Sequence, residues 1–287
     1  MATFRAYPNG ATMGVGNPAP KGGPRGLITG WSPAAVRRHK RWLYSVESTG
    51  LDGVGDAVTL TVQSCPPSAE DWRRCVESLL KALRRAGMVR WHWVVEWQRR
   101  GVPHLHLAVY GPQADDVLSR PGYVAVAAWL RIAREYGPQS IAQHVTAITG
   151  PVGWLKYLSK HASRGVAHYQ RQGKPAGWTT TGRLWGYGGE WPVAEPLEGV
   201  LATEQMWRVR RMVQRYAIAQ ARSAALHYRY RDPQKSKACW ESVAYLRGMR
   251  KCNDRALSSV RGVSEWVPGP VFVAMALCAG WLGEVAE

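Results

Sequence analysis

Residues 91–110 read WHWVVEWQRRGVPHLHLAVY and predict two β-strands joined by a tight turn. Trp and Val dominate residues 91–98, and residues 104–110 alternate between polar and apolar side chains. The connection between them contains Gly101 and Pro103, which are typical of hairpin loops. We therefore expect an antiparallel hairpin at the centre of a sheet.

One face of this hairpin gathers polar side chains. His104 and His106 share a face because they are two residues apart in a strand. A hairpin symmetric about Gly101 pairs Gln98 with His104 and Glu96 with His106, with opposite Cβ atoms about 5 Å apart. Two imidazoles and a carboxylate, with the carboxamide as a further candidate ligand, predict a divalent-metal site with open positions for a substrate oxygen. The alternative is that these histidines are ordinary packed strand residues.

The charge of the chain points to a polyanionic partner. The 287 residues include 38 Lys and Arg against 20 acidic residues, which gives a net charge of +18 and a pI near 10.1. Such a balance favours nucleic acid binding. The five cysteines form no CxxC pair, which predicts reduced thiols in a cytoplasm.

The sequence predicts no membrane span. The N-terminus lacks the apolar segment of a signal peptide. The longest apolar run, residues 270–282, is short of the roughly 20 residues that a span requires. We interpret this run as a packed C-terminal helix, with contact to a membrane surface as the weaker alternative.

The order of elements predicts an α+β fold. Residues 57–62 form a β-branched strand, Ser68 begins a helix, and a second helix at 122–136 and a strand at 141–148 follow the hairpin. This order favours an antiparallel sheet with helices packed on one face. The sequence divides into four parts: a flexible Gly/Pro-rich arm at 1–30, the sheet-bearing domain at 31–192, a linker at 193–202 and a basic helical region at 203–287.

Basic residues cluster on predicted helices. Residues 203–261 carry 14 Lys and Arg against 4 acidic residues, mostly within two helices expected at about 203–228 and 234–251. An earlier helix from Ser32 to about Tyr44 is also basic. The candidate DNA-binding residues are Arg37, Arg38, Arg41, Arg208, Arg210, Arg211 and Arg215. The alternatives are a solvated helix face for the first cluster and helices that simply cover the sheet for the second.

A predicted helix at 151–163 carries Tyr157 and Lys160 on one face. A tyrosine beside a metal-bound phosphate can attack phosphorus, and a neighbouring lysine favours the phenolate, whose ordinary pKa is near 10. An isolated Tyr-x-x-Lys is otherwise typical of any amphipathic helix. His92 and His161 are interpreted as packing residues.

These motifs together resemble those of the HUH endonucleases. His104-Leu105-His106 resembles the His-hydrophobic-His motif, the Thr-containing strand at 57–62 resembles the first motif, and Tyr157-Leu158-Ser159-Lys160 resembles the third. Glu96, in Glu-x-x-x-x-Gly-x-x-His-x-His, matches the acidic ligand of single-tyrosine replication initiators. The segments at 100–106 and 182–186 are most similar to rolling-circle Rep proteins of bacterial plasmids and filamentous single-stranded-DNA phages. The resemblance covers residues 30–192.

The resemblance implies a ferredoxin- or RNA-recognition-like sheet, with Mg²⁺ or Mn²⁺ held by His104, His106 and Glu96. It also implies nicking of single-stranded origin DNA in a bacterial cytoplasm, with Tyr157 keeping the 5′ phosphate and the freed 3′ hydroxyl priming synthesis. Only one nucleophile is offered, so termination requires either a second subunit in a homodimer or a water-assisted step. No GxxxxGK[ST] loop occurs, so we expect a host helicase and a host DNA polymerase as partners.

Two other interpretations remain open at this point. A conjugative relaxase or a transposase uses the same chemistry in another biological role. A non-catalytic basic DNA-binding regulator predicts DNA binding without a covalent adduct.

Overall fold

The structure, a computed structural model, describes residues 1–14, 26–113, 116–150, 168–251 and 263–283. The chain divides into two compact units. One unit is Gly22–Val193, and the other combines Met1–Lys21 with Ala194–Glu287. Each unit has its own cluster of buried apolar side chains.

The described ranges contain nine strands and six α-helices. The strands are β1 (Ala2–Ala6), β2 (Ala11–Gly14), β3 (Val54–Thr61), β4 (Arg90–Trp97), β5 (Pro103–Gly111), β6 (His144–Ile148), β7 (Trp185–Gly189), β8 (Leu197–Leu201) and β9 (Val263–Glu265). The helices are α1 (Pro33–Ser45), α2 (Ala69–Arg85), α3 (Pro121–Ile132), α4 (Thr203–Tyr228), α5 (Pro233–Lys251) and α6 (Gly269–Cys278).

The unit Gly22–Val193 is built on a five-stranded antiparallel sheet with the strand order β6-β3-β5-β4-β7. The predicted hairpin is confirmed as β4 and β5, and every residue of both strands is buried. Strands with polar side chains on one face are seldom buried along their whole length, so the polar group on this pair lies inside the protein.

The register of the hairpin differs from the symmetric expectation. Glu96 pairs with His104, and Val94 pairs with His106. Gly101 adopts a left-handed φ of 77°, and the N–H of Gln98 donates to the carbonyl of Val102 at 2.9 Å. This is a three-residue loop that ends in a left-handed glycine, which moves the hairpin axis from Gly101 to Arg100.

The expected pairings of Gln98 with His104 and of Glu96 with His106 are therefore wrong by two residues. Because the error is an even number, no side chain changes face. The polar face of the hairpin is the one that the sequence predicts.

Helices α2 and α3 pack on the opposite, apolar face. Ser68 caps α2 by accepting from the N–H of Asp71, as the sequence predicts. Trp72 of α2 meets Trp129 of α3 edge to face, with ring centroids 5.3 Å apart. The indole N–H of Trp129 donates to the carbonyl of Thr61 on β3 at 3.0 Å, which fixes α3 on the sheet.

Helix α1 contacts the polar face of the same sheet. Its N-cap is Ser32, with proline at the first helical position, as expected. His39 and His92 are fully buried with their Nε2 atoms 2.9 Å apart, and Trp42 stacks on His92. His92 is thus a packing residue. The α+β class is confirmed, with helices against both faces of the sheet rather than one.

The other unit has a four-stranded antiparallel sheet with the order β8-β1-β2-β9. The expectation of a flexible arm is wrong for residues 2–6 and 11–14, which are its two central strands. The linker expected at 193–202 likewise contains β8. Phe4 is fully buried against Phe272 and Trp281, so a hydrophobic core orders these segments despite their glycine and proline content.

The basic helical region is confirmed as α4 and α5, within one residue of the predicted bounds. The apolar C-terminal run forms α6, whose Phe272 and Ala276 are fully buried. Among the described residues, no helix is long and apolar enough to cross a membrane.

Candidate metal centre

Three predicted metal ligands meet on the polar face of the hairpin. Glu96 comes from β4, and His104 and His106 come from β5. Glu96 and His104 are direct cross-strand partners, and His106 lies two residues along on the same face. One ligand atom of each residue lies within 4.8 Å of the other two. The backbone register alone therefore assembles the cluster.

The spacing of these atoms suits ligands of one ion. The Nε2 atoms of His104 and His106 are 3.1 Å apart, and Nε2 of His106 is 3.5 Å from Oε2 of Glu96. Two ligand atoms at right angles, each about 2.1 Å from an ion, are separated by about 3.0 Å. Two imidazoles and a carboxylate leave further positions open for water or for a substrate oxygen. The donor set and the geometry both fit a divalent cation.

Burial makes a charge at this cluster costly without compensation. Glu96 is fully buried, and both histidines are less than a tenth exposed. The guanidinium of Arg171, also buried, lies 3.5 Å from Oε1 of Glu96 and 4.1 Å above the ring of Trp31. Arg171 therefore contributes one positive charge to a carboxylate that a cation would share.

Strand β3 supports the histidines from the other side. Thr59 pairs with His106 and Thr61 with His104. The hydroxyl of Thr59 is 3.1 Å from Nδ1 of His106. A histidine that binds an ion through Nε2 carries its proton on Nδ1, so Nδ1–H can donate to Thr59 and fix the ring.

Gln98 contacts this support rather than the three ligands. Its amide N–H donates to the hydroxyl of Thr61 at 2.7 Å, and its carbonyl accepts from Nε of Arg100 at 2.6 Å. Arg100 also donates to the backbone carbonyl of Gln63 at 2.6 Å. Both polar ends of the amide are thus engaged, and a role for Gln98 as a further ligand stays a prediction.

The predicted nucleophile and its lysine, Tyr157 and Lys160, lie outside the described residues, as does His161. Two other tyrosines are poor candidates for a phenolate. Burial raises the pKa of Tyr110, and burial together with a hydrogen bond to Glu135 raises the pKa of Tyr136 to about 12. Both changes make loss of the phenolic proton harder.

The predicted DNA-binding arginines lie at the surface. Arg37, Arg38 and Arg41 are exposed on α1. On α4, Arg208, Arg211 and Arg215 are exposed at helical spacing, and Arg210 lies 5.1 Å above the ring of Trp207. Arg208 also pairs with Glu204 at 2.6 Å. These positions leave both basic clusters accessible to a polyanion.

Arg171 is the part of the centre that sequence reasoning missed. It lies in an irregular segment between β6 and β7, where no periodicity predicts the direction of a side chain. Its one signal is composition, since residues 168–174 read HYQRQGK and contain no acidic residue. The contact with Glu96 depends on tertiary structure that the local sequence does not encode.

Comparison with known proteins identifies the family of the chain. The model of the ORF2-type replication-associated protein family matches residues 56–162, which span β3, the hairpin and the Tyr157–Lys160 motif. A replication-associated protein of Pseudomonas phage Pf3 is 37% identical over 93% of this chain and 93% of its own length. The chain belongs to the ORF2-type family of replication-associated proteins.

Two bacterial relatives extend this result to nearly the whole chain. A protein of Xylella fastidiosa strain 9a5c, named provisionally as a replication protein, is 41% identical over 99% of this chain and 98% of its own length. A second, from strain Temecula1, is 40% identical over 85% of this chain and 89% of its own length. No solved structure matches the chain significantly. The resemblance to phage replication proteins is thus confirmed.

Proposed function

We propose that this member of the ORF2-type family is a rolling-circle replication initiator that nicks single-stranded origin DNA and can religate it. The observation that supports this most strongly is the buried cluster of Glu96, His104 and His106, with ligand atoms within 4.8 Å of one another. The replication-associated names of the relatives support the same role. They favour replication over conjugation, transposition or regulation alone.

In this proposal, His104, His106 and Glu96 hold Mn²⁺ or Mg²⁺, with Mn²⁺ favoured because two of the three ligand atoms are imidazole nitrogens. The ion supplies Lewis-acid stabilisation of charge on a phosphate oxygen. Thr59 orients His106, and Arg171 keeps Glu96 in place and ionised. The protein residues thus present a rigid site before DNA arrives.

Tyr157 is the proposed nucleophile. Its hydroxyl oxygen bonds to the scissile phosphorus, the bond from phosphorus to the 3′ oxygen breaks, and the departing oxygen takes up a proton to give a 3′ hydroxyl. Lys160 stabilises the phenolate and the phosphate. One phosphodiester bond replaces another, so the 3′ hydroxyl can attack the phosphotyrosine and restore the strand.

The proposed biological setting is a bacterial cytoplasm. The freed 3′ hydroxyl primes a host DNA polymerase, and a host helicase opens the duplex. Resolution of the phosphotyrosine requires either the tyrosine of a second subunit or a water-assisted step.

A covalent-capture experiment tests the proposal. The full-length chain is incubated with Mn²⁺ and with end-labelled single-stranded fragments that tile the replicon encoding it. We expect one fragment to give a denaturation-resistant adduct whose modified peptide contains Tyr157. Tyr157→Phe removes the adduct, whereas Tyr123→Phe, which alters an exposed tyrosine on α3, leaves it.

Two outcomes contradict the proposal. Tight binding of a fragment with no adduct at any Mn²⁺ or Mg²⁺ concentration supports a non-catalytic regulator. An adduct that survives Tyr157→Phe places the nucleophile elsewhere.

A further inference from the structure

A second feature of the unit Gly22–Val193 is an open groove of about 560 Å³ beside the hairpin turn. One wall is the turn itself, with Trp97, Arg99 and Gly101. The other wall is the segment 168–174, with Tyr169 and Lys174. We call this feature the turn groove. Its volume falls within the range of small-ligand sites.

Both walls of the turn groove are fixed to the sheet. The N–H of Trp97 donates to the carbonyl of Gln170 at 2.9 Å, which joins segment 168–174 to the edge of β4. Trp97 also meets Trp178 edge to face, and the indole N–H of Trp178 donates to the carbonyl of Pro66 at 2.8 Å. The groove is therefore a preformed shape and not a gap between two loose loops.

The surface of the groove carries positive charge and an accessible aromatic ring. The ring of Tyr169 is on a residue that is 51% exposed, and the guanidinium of Arg99 lies 5.4 Å from its centroid. Lys174 is exposed on the same wall. Residues 97–103 and 168–174 contain no Asp or Glu. An aromatic face beside basic side chains is the combination that binds single-stranded nucleic acid.

Two residues connect the turn groove with the metal cluster. Gln98 lines the groove and donates to Thr61, the strand partner of His104. Segment 168–174 presents Tyr169 to solvent and directs Arg171 inward to Glu96. A strand that lies in the groove is thus close to the proposed ligands along the chain and in space.

We propose that the turn groove binds one nucleotide of the single strand that flanks the nick, with its base stacked on Tyr169 and its phosphates beside Arg99 and Lys174. The inference rests on the proposed function, because it names where that function holds its substrate. Stacking tolerates any base, so the groove positions the strand and does not read its sequence.

Photochemical cross-linking tests this inference without any cleavage. The full-length chain in EDTA is mixed with a short oligothymidylate that carries 5-iododeoxyuridine, irradiated and digested. We expect the cross-linked peptide to contain Tyr169. Tyr169→Ala removes that cross-link, Tyr169→Phe keeps it, and Tyr123→Ala, an exposed tyrosine on α3, leaves it unchanged.

Binding measurements give a second readout. Anisotropy of a labelled oligothymidylate is expected to report at least about fivefold weaker binding for Tyr169→Ala, the smallest loss that removal of one stacked base predicts. Tyr169→Phe retains the affinity. Arg99→Ala lowers the slope of log affinity against log salt by about 0.7, the value for one phosphate of a single strand. Arg85→Ala, at an exposed arginine on α2, leaves the slope unchanged, and an equal decrease there would show a general charge effect.

The outcomes separate the two proposals. A cross-link at Tyr169 without any Tyr157 adduct supports the groove and contradicts the nicking function. Cross-links confined to other peptides in the unmodified protein, or unchanged affinity of Tyr169→Ala, overturn the groove whatever the adduct assay gives. An adduct at Tyr157 that is unaffected in Tyr169→Phe also excludes Tyr169 as the nucleophile.

Discussion

Thr59 places its hydroxyl oxygen 3.1 Å from Nδ1 of His106, on the side of the ring away from the Nε2 atom that faces His104. This relationship fixes which nitrogen of His106 is available to an ion. It also supplies a test of the metal centre that leaves all three proposed ligands in place.

Thr59→Val is expected to weaken Mn²⁺ binding by about 10- to 100-fold, because the hydroxyl that orients the ligand is lost. Thr59→Ser retains the hydroxyl and most of the affinity. Thr146→Val is the matched control, since Thr146 lies 2.8 Å from the exposed His144 on β6, away from the cluster. Titration calorimetry with Mn²⁺ measures all three variants, and equal affinity in Thr59→Val contradicts the orienting role.

Removal of a histidine ligand separates chemistry from binding. His104→Ala or His106→Ala is expected to abolish cleavage while leaving salt-sensitive DNA binding largely intact, since the exposed arginines are unchanged. His144→Ala, at an exposed histidine, should affect neither activity. Gel-based cleavage and anisotropy measure the two activities, and loss of both with an unchanged circular dichroism spectrum would show that the metal assignment is wrong.

Mn²⁺ should stabilise the folded protein. An ion at 100 times its dissociation constant contributes about 2.7 kcal/mol to the free energy of unfolding, which raises Tm by several degrees. Glu96→Gln is expected to lose this increase, whereas Glu47→Gln, an exposed residue, keeps it. Differential scanning calorimetry with and without Mn²⁺ measures the shift. The same increase in Glu96→Gln as in the unmodified chain would exclude Glu96 as a ligand.

The arginine stripe on α4 is expected to contribute to DNA affinity but not to chemistry. Replacing Arg208, Arg211 and Arg215 by Gln should lower the salt slope for single strands by about 2, because three phosphate contacts are lost. Cleavage at saturating concentration should not change. Replacing Lys81, Arg85 and Arg131, which are exposed on α2 and α3, removes the same charge as a control, and an equal loss of slope there would show a general charge effect.

Point substitutions are preferable to removal of residues 203–287. Strands β1 and β2 pair with β8 and β9, and Phe4 packs on Phe272 and Trp281. Removal of the C-terminal region would therefore expose the apolar side chains of the N-terminal strands. Loss of function in such a truncation would report misfolding rather than loss of a DNA contact.

The N-terminal strand provides a stability prediction. Phe4→Ala is expected to lower the free energy of unfolding by about 3–5 kcal/mol, the usual cost of removing a buried phenyl ring. Thr3→Ala, an exposed neighbour on the same strand, should change it by less than about 0.5 kcal/mol. Urea denaturation measures both. A flexible arm would make Phe4→Ala as mild as Thr3→Ala.

Local patterns in the sequence predicted the elements that depend on local physics. The hairpin follows from alternation and a glycine turn, α2 from its cap and apolar stripe, and α4 and α5 from long periodic segments. The polar face with Glu96, His104 and His106 was also predictable, because an even register error does not change which side chains share a face.

Contacts between distant segments were not predictable in the same way. The arm expected at residues 1–30 contains strands because β1 pairs with β8, and Arg5 bonds to Glu198 across 193 residues of sequence. Arg171 reaches Glu96 from an irregular segment. The register of the hairpin depended on a loop in which Gly101 is the last residue and not the centre.

The most direct test of the central claim is a crystal structure of the chain with Mn²⁺, with the ion located by anomalous scattering. We predict one strong peak about 2.0–2.3 Å from a carboxylate oxygen of Glu96 and from Nε2 of His104 and His106, with the hydroxyl of Tyr157 facing its open side. A peak bound by other residues, or a Tyr157 hydroxyl on the opposite face of the sheet, would contradict the account.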